Sequence, residues 1–108
     1  MNYLDLFIQN FKQDCTLHKI GYKERDKLEF DDYYKIGFQL DTFQLNYYDI
    51  HLLVDYEDEL KAIHLLGTNV SKIADEIQRE GIFYGVPVKI INLNDECLPG
   101  SITMSVKK

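Results

Sequence analysis

From Tyr3 to His18 the apolar positions Leu4, Phe7, Ile8, Phe11 and Cys15 recur every three or four residues, the spacing that gathers side chains on one face of an α-helix. Gly21 marks the expected end of that helix. The YKERDKLEFDD segment that follows carries charges of both signs and isolated apolar residues, and reads as a solvated connection with a short strand near Leu28 and Phe30. The period then changes to two. Tyr34, Ile36, Phe38 and Leu40 alternate with Lys35, Gly37, Gln39 and Asp41, the pattern of a strand with one wet face. The phase slips at Asp41-Thr42, after which Phe43 and Leu45 are the apolar positions, so a turn or bulge is expected there. Tyr48, Ile50, Leu52, Val54 and Tyr56 next alternate with Asp49, His51, Leu53 and Asp55, the strongest strand pattern in the chain.

Residues 60–66 admit two readings. With Glu57-Asp58 as a tight turn, Val54 faces Lys61, Leu52 faces Ile63 and Ile50 faces Leu65, and most of the core face continues across a hairpin. With Asp55 as an N-cap and Asp58 three positions on, the helix formers of the segment run instead to Gly67. Glu-Asp is a poor two-residue hairpin turn, but the continuity of the core face favours the hairpin. Beyond it, Thr68 or Asn69 caps a helix of about three turns with Val70, Ile73, Ala74 and Ile77 as its apolar stripe. Gly81 stands where a left-handed C-terminal residue belongs. Gly85-Val86-Pro87 opens a strand through VKIINL, Asn92–Asp95 and Pro99-Gly100 bracket a loop, and Ile102, Met104 and Val106 form the inward face of a last strand. The order α-β-β-β-α-β-β describes a single α+β domain over residues 1–108, an antiparallel sheet of about five strands with two helices on one face.

An apolar share of 45% places the chain among sequences that bury enough surface to fold. No apolar run approaches the roughly eighteen residues of a membrane span, and Asp5 stands where a signal peptide carries basic charge. A cytoplasmic protein is expected. Cys15 and Cys97 lack a C-x-x-C partner and read as reduced thiols, Cys15 on the buried face of the first helix and Cys97 in a loop.

Charge sharpens the expectation about partners. The net charge is −6, and nine of the eighteen carboxylates lie either between Glu24 and Asp32 or between Asp55 and Glu59. Nucleic-acid affinity rests on Lys and Arg displacing counterions, so nucleic acid is disfavoured and a basic protein surface is the natural partner. The run Asp55, Tyr56, Glu57, Asp58, Glu59, with Tyr47 and Tyr48 nearby, is the candidate binding surface: carboxylates steer a basic partner and tyrosines supply rigid contact area. The run lacks the residue order of a calcium loop. His51 and His64 face each other in the hairpin reading, but two histidines are half a zinc site and no further ligand stands at the required spacing. No metal or other cofactor is expected.

The chain also lacks a nucleophile elbow, a phosphate-binding glycine loop and zinc-protease or Cys-His signatures, so nothing points to an enzyme. The expectation is a non-enzymatic acidic binding protein. In class and charge it is similar to inhibitors that neutralise nucleases or other basic effectors, such as toxin-immunity proteins; no motif assigns a family. The alternative is a DNA-binding regulator using residues 60–80, since Gly67 with the flanking apolar positions resembles a helix-turn-helix in which Thr68, Asn69, Ser71 and Lys72 face the groove. Lys72 and Arg79 are the only cations of that recognition helix, against Asp75, Glu76 and Glu80. A third reading is a homo-oligomer joined through an exposed edge strand such as 101–107, where Lys107-Lys108 discourages pairing.

Overall fold

Asn2 starts the first helix by accepting a hydrogen bond from the Asp5 N–H at 2.9 Å, and helix α1 runs from Tyr3 to Leu17 with Leu4, Phe7, Phe11 and Cys15 buried. It ends earlier than Gly21. The Ile20 N–H donates to the Cys15 carbonyl and the Lys19 N–H to that of Thr16, while Lys19 takes the left-handed conformation at φ 57°. That paired closure satisfies the last carbonyls without glycine and drops Ile20 into the core. The computed structural model describes residues 2–42 and 44–108; the apolar position expected at Phe43 lies outside them.

Eight strands follow in the described residues: β1 (Tyr22–Glu24), β2 (Leu28–Glu29), β3 (Tyr33–Leu40), β4 (Asp49–Asp55) and β5 (Leu60–Gly67) precede helix α2 (Val70–Glu80), and β6 (Ile82–Phe83), β7 (Val86–Asn94) and β8 (Gly100–Val106) come after it. The α+β class and the antiparallel sheet match the expectation, but about five strands is an undercount. The additional β1, β2 and β6 are two or three residues long, too short to show a period, and exist through pairing with β3 and β7. The sheet order is β1-β3-β4-β5-β8-β7-β6, with β2 also on β3. Strand β8 therefore lies inside the sheet between β5 and β7, which overturns the reading of 101–107 as an edge.

Residues 60–67 are a strand, so the first helix of the helix-turn-helix reading is absent and Gly67 makes no inter-helix turn. Gly67 serves close packing instead. A Cβ there would stand 2.3 Å from the Asn46 carbonyl oxygen and 2.8 Å from the Tyr47 Cα. The hairpin register agrees with the expected Leu52–Ile63 and Ile50–Leu65 pairs but departs at Val54, which pairs with Leu60. A bulge between Leu53 and Val54 makes Lys61 the extra residue. Strict alternation would have turned Lys61 into the core; the bulge buries Leu60 there instead and leaves Lys61 exposed.

Both helices cover the same face. Phe7, Phe11 and Cys15 of α1 and Val70, Ile73, Ala74 and Ile77 of α2 join Phe38, Ile50, Leu52, Ile63, Leu65, Ile102 and Met104 in one apolar cluster. Gly81 closes α2 in the left-handed conformation at φ 68°, its N–H donating to the Ile77 carbonyl. No helix among the described residues is long and apolar enough to cross a membrane.

Candidate functional site

Tyr33 pairs with Asp55 at the start of β3 and the end of β4, and this one register position brings the two acidic runs of the sequence to the same end of the sheet. The β2–β3 turn, closed by the Phe30 N–H donating to the Tyr33 carbonyl, holds Asp31 and Asp32. Beside it, the β4–β5 turn holds Tyr56, Glu57, Asp58 and Glu59. The Tyr56 hydroxyl donates to the Phe30 carbonyl and ties one turn to the other.

The β4–β5 turn is longer than the expected two-residue Glu57-Asp58. Tyr56, Glu57 and Asp58 form it, Asp55 and Glu59 close it, and Asp58 sits at φ 61°, a conformation that Asp tolerates better than most residues. Asp55 organises the loop, because its Oδ1 accepts from the N–H groups of Glu57 at 2.9 Å and Glu59 at 3.0 Å. The Glu59 N–H, with that of Glu57 and the ammonium of Lys61, holds the Asp55 carboxyl below the ordinary carboxylate range. Asp58 accepts from the Tyr34 hydroxyl at 2.7 Å through Oδ1 and from the Asn2 side chain through its carbonyl. Loss of hydration, the hydrogen bond to Asp58 and the surrounding carboxylates push the Tyr34 hydroxyl up to about 12.

These contacts separate positioning residues from presenting ones. Asp55 and Asp58 hold the loop, while Glu57, Glu59, Asp31 and Asp32 are exposed. Around them lies an aromatic surface that the linear sequence does not display: Phe30 stacks on Tyr33 with ring centres 4.7 Å apart, Tyr56 is 52% exposed, and Leu28 and Phe30 are exposed beside it. Tyr47 is not part of this surface. It is 3% exposed, and its hydroxyl meets that of Tyr84 in the core, because the chain entering β4 turns it inward beneath α1.

Among the described residues, Asp55, Glu57 and Glu59 are the group whose oxygens come within 4.8 Å of one another as metal ligands would. Lys61 Nζ already lies 3.4 Å from Asp55 Oδ2 and 3.1 Å from Glu59 Oε2, and this ammonium neutralises part of the cluster. A groove of about 440 Å³ borders the acidic end at Glu59, and Lys61, Lys107 and Lys108 line it together with Tyr3. The acidic surface thus has a basic margin on one side.

A second polar cluster occupies the sheet face without helices. His51 and His64 stand opposite each other as the hairpin reading expects, ring centres 5.9 Å apart. Asp49 is 5% exposed, with Oδ2 3.2 Å from Arg25 Nη2 and 3.4 Å from His51 Nε2. Loss of hydration and the neighbouring His51 and Lys35 lower the His64 pKa against the pull of Asp49. Gly37 leaves room for this cluster, since a Cβ would meet the Arg25 side chain at 3.2 Å and the His51 ring at 3.4 Å. Cys15 is buried and Cys97 exposed, both as free thiols.

Comparison with known proteins finds no matching family model, no matching curated protein and no matching solved structure.

Proposed function

We propose that the protein is a non-enzymatic binder of a basic protein surface, acting through the joined acidic turns as an inhibitor of the immunity type does. One observation carries the reading: carboxylates from two separate runs flank an exposed aromatic patch, on turns fixed by Asp55, by the Tyr34–Asp58 bond and by the Tyr56–Phe30 bond. Preorganised loops lose little entropy on binding, and an aromatic centre within a charged rim is the anatomy of a protein-recognition surface. The carboxylates supply steering toward a cationic partner. Phe30, Tyr33 and Tyr56 supply the apolar contact area.

The test replaces only presenting residues: Glu57→Gln, Glu59→Gln, Asp31→Asn and Asp32→Asn together, leaving Asp55 and Asp58 to hold the fold. Partners recovered by the wild-type chain from its native host are identified by mass spectrometry, and the affinity of the purified pair is measured across salt concentrations. The expected result is a partner with a basic site whose association slows by about ten-fold or more at low salt in the variant, with the difference narrowing as salt rises. Equal affinity of both chains for that partner would remove the surface assignment. Duplex DNA binding at low salt would replace the proposal with a nucleic-acid function.

A further inference from the structure

Cations are scarce in this chain, whose net charge is −6, yet three of its twelve Lys and Arg side chains line one groove. Lys61, Lys107 and Lys108 meet there with the apolar Leu60 and Val106 and with Tyr3. Two of these apolar groups are anchored in the core: Leu60 is 4% exposed, and Val106 packs against the main apolar cluster. The three ammoniums are not equivalent. Lys61 Nζ is already held by Asp55 and Glu59, whereas neither Lys107 nor Lys108 forms an ion pair among the described residues. The Lys107 backbone is nonetheless fixed, because its N–H donates to the Pro87 carbonyl of β7 just past the end of β8.

We propose that this groove binds a small organic monocarboxylate with a short aromatic or aliphatic body, its head on Lys107 and Lys108 and its body against Leu60, Val106 and Tyr3. Charge selects the head. Unpaired ammoniums beside apolar surface disfavour a cation and offer charge-assisted hydrogen bonds to a carboxylate. Charge also limits the size, since the exposed carboxylates of the neighbouring turn, Glu57 and Glu59, repel an extended polyanion and leave a compact single charge as the anion that fits. The volume of about 440 Å³ lies within the range of pockets that take small organic ligands. Of the presenting carboxylates of the acidic turns the groove shares Glu59 alone, so this proposal does not rest on the binding function above.

Two-dimensional amide NMR titrations of the full chain, at neutral pH and constant ionic strength, read the site with two probes of similar shape and opposite charge, phenylbutyrate and phenylbutylamine. The overall negative charge of the protein attracts the amine, so preference for the acid reports the groove. Phenylbutyrate should shift the amide signals of Tyr3, Lys61 and Lys107 saturably, with a dissociation constant on the order of 1 mM for a ligand of this size. The amine, which lacks the anionic head, and acetate, which lacks the apolar body, should each bind at least about ten-fold more weakly. Lys107→Gln combined with Lys108→Gln changes exposed positions only, its amide spectrum verifies the fold, and phenylbutyrate binding should weaken about five-fold. No saturation by about twenty times the expected constant, amine or acetate binding as tightly as phenylbutyrate, or unchanged affinity in the folded double variant would each overturn the proposal.

Discussion

Removing the hydroxyl of Tyr84 tests how the core tolerates a polar chain. Tyr84 and Gly85 form the two-residue β6–β7 turn, both with positive φ, 50° and 82°, a conformation costly for an aromatic residue. Three contacts hold it there. The Asn10 side chain donates to its carbonyl at 2.7 Å, Phe7 meets its ring edge-on at 5.2 Å, and its hydroxyl donates to Asp14 Oδ2 at 2.7 Å while meeting the Tyr47 hydroxyl. Tyr84→Phe keeps the ring and the turn but leaves the Tyr47 hydroxyl buried without its partner, at about 1–3 kcal/mol. It also removes the bond to Asp14, whose side chain is 27% exposed; water regains much of that loss, leaving about 1 kcal/mol. The expected total is about 2–4 kcal/mol. Tyr47→Phe leaves the bond to Asp14 intact and should cost only about 1 kcal/mol. The double variant has no orphaned hydroxyl and should cost no more than Tyr84→Phe alone, a coupling of about 1 kcal/mol or more. Urea unfolding followed by far-ultraviolet circular dichroism measures all four chains. Additive costs, or a Tyr47→Phe loss equal to that of Tyr84→Phe, would show that the two hydroxyls do not depend on each other.

Four further outcomes are expected. Gly67→Ala drives a methyl into the Asn46–Tyr47 backbone and should cost about 1–3 kcal/mol of stability by the same unfolding assay; a neutral result would mean that the strands separate freely there. Burial pushes the Cys15 thiol up to about 11, so a thiol reagent at neutral pH should modify Cys97 at once and Cys15 only on unfolding, as mass spectrometry of the digested chain would read. His64, its folded pKa lowered from 6.5, binds protons more readily once unfolded; its share of stability is complete above about pH 6.5 and declines below it. His64→Gln should therefore flatten the loss of melting temperature on acidification. Tyr34, raised to about 12, and Tyr47 and Tyr84, raised by burial, act oppositely. Their contribution is complete below the ordinary tyrosine value of 10 and lost as pH rises above it, so alkaline melts should be steeper for the wild type than for Tyr84→Phe.

The two helices and the long strands were legible because each repeats its period often enough to stand out: Leu4, Phe7, Phe11 and Cys15 for α1, Ile50, Leu52 and Val54 for β4. Strands β1 and β6 were not, since two or three residues carry no period and their pairing is decided by distant partners; the short strand expected near Leu28 and Phe30 is β2 (Leu28–Glu29). The same locality hid the bulge at Lys61, which shows in the sequence only as a charge on an apolar stripe. At the candidate site the acidic turn itself was readable. Its union with Asp31 and Asp32 was not, because it depends on the Tyr33–Asp55 register, and the inward turn of Tyr47 depends on a hydroxyl partner thirty-seven residues away.

The interior position of β8 constrains how the fold is reached during synthesis. Once Gly67 has emerged, β3, β4 and β5 can pair as a meander between sequence neighbours, but the exposed side of β5 waits for residues 100–106. Those residues must enter between β5 and β7, joining the early meander to the late hairpin in one step of high sequence separation, the kind of contact that slows folding. A nascent chain halted near Glu80 would thus carry an open β5 edge of alternating apolar residues, and protection against misassembly in that interval falls to whatever shields the emerging chain.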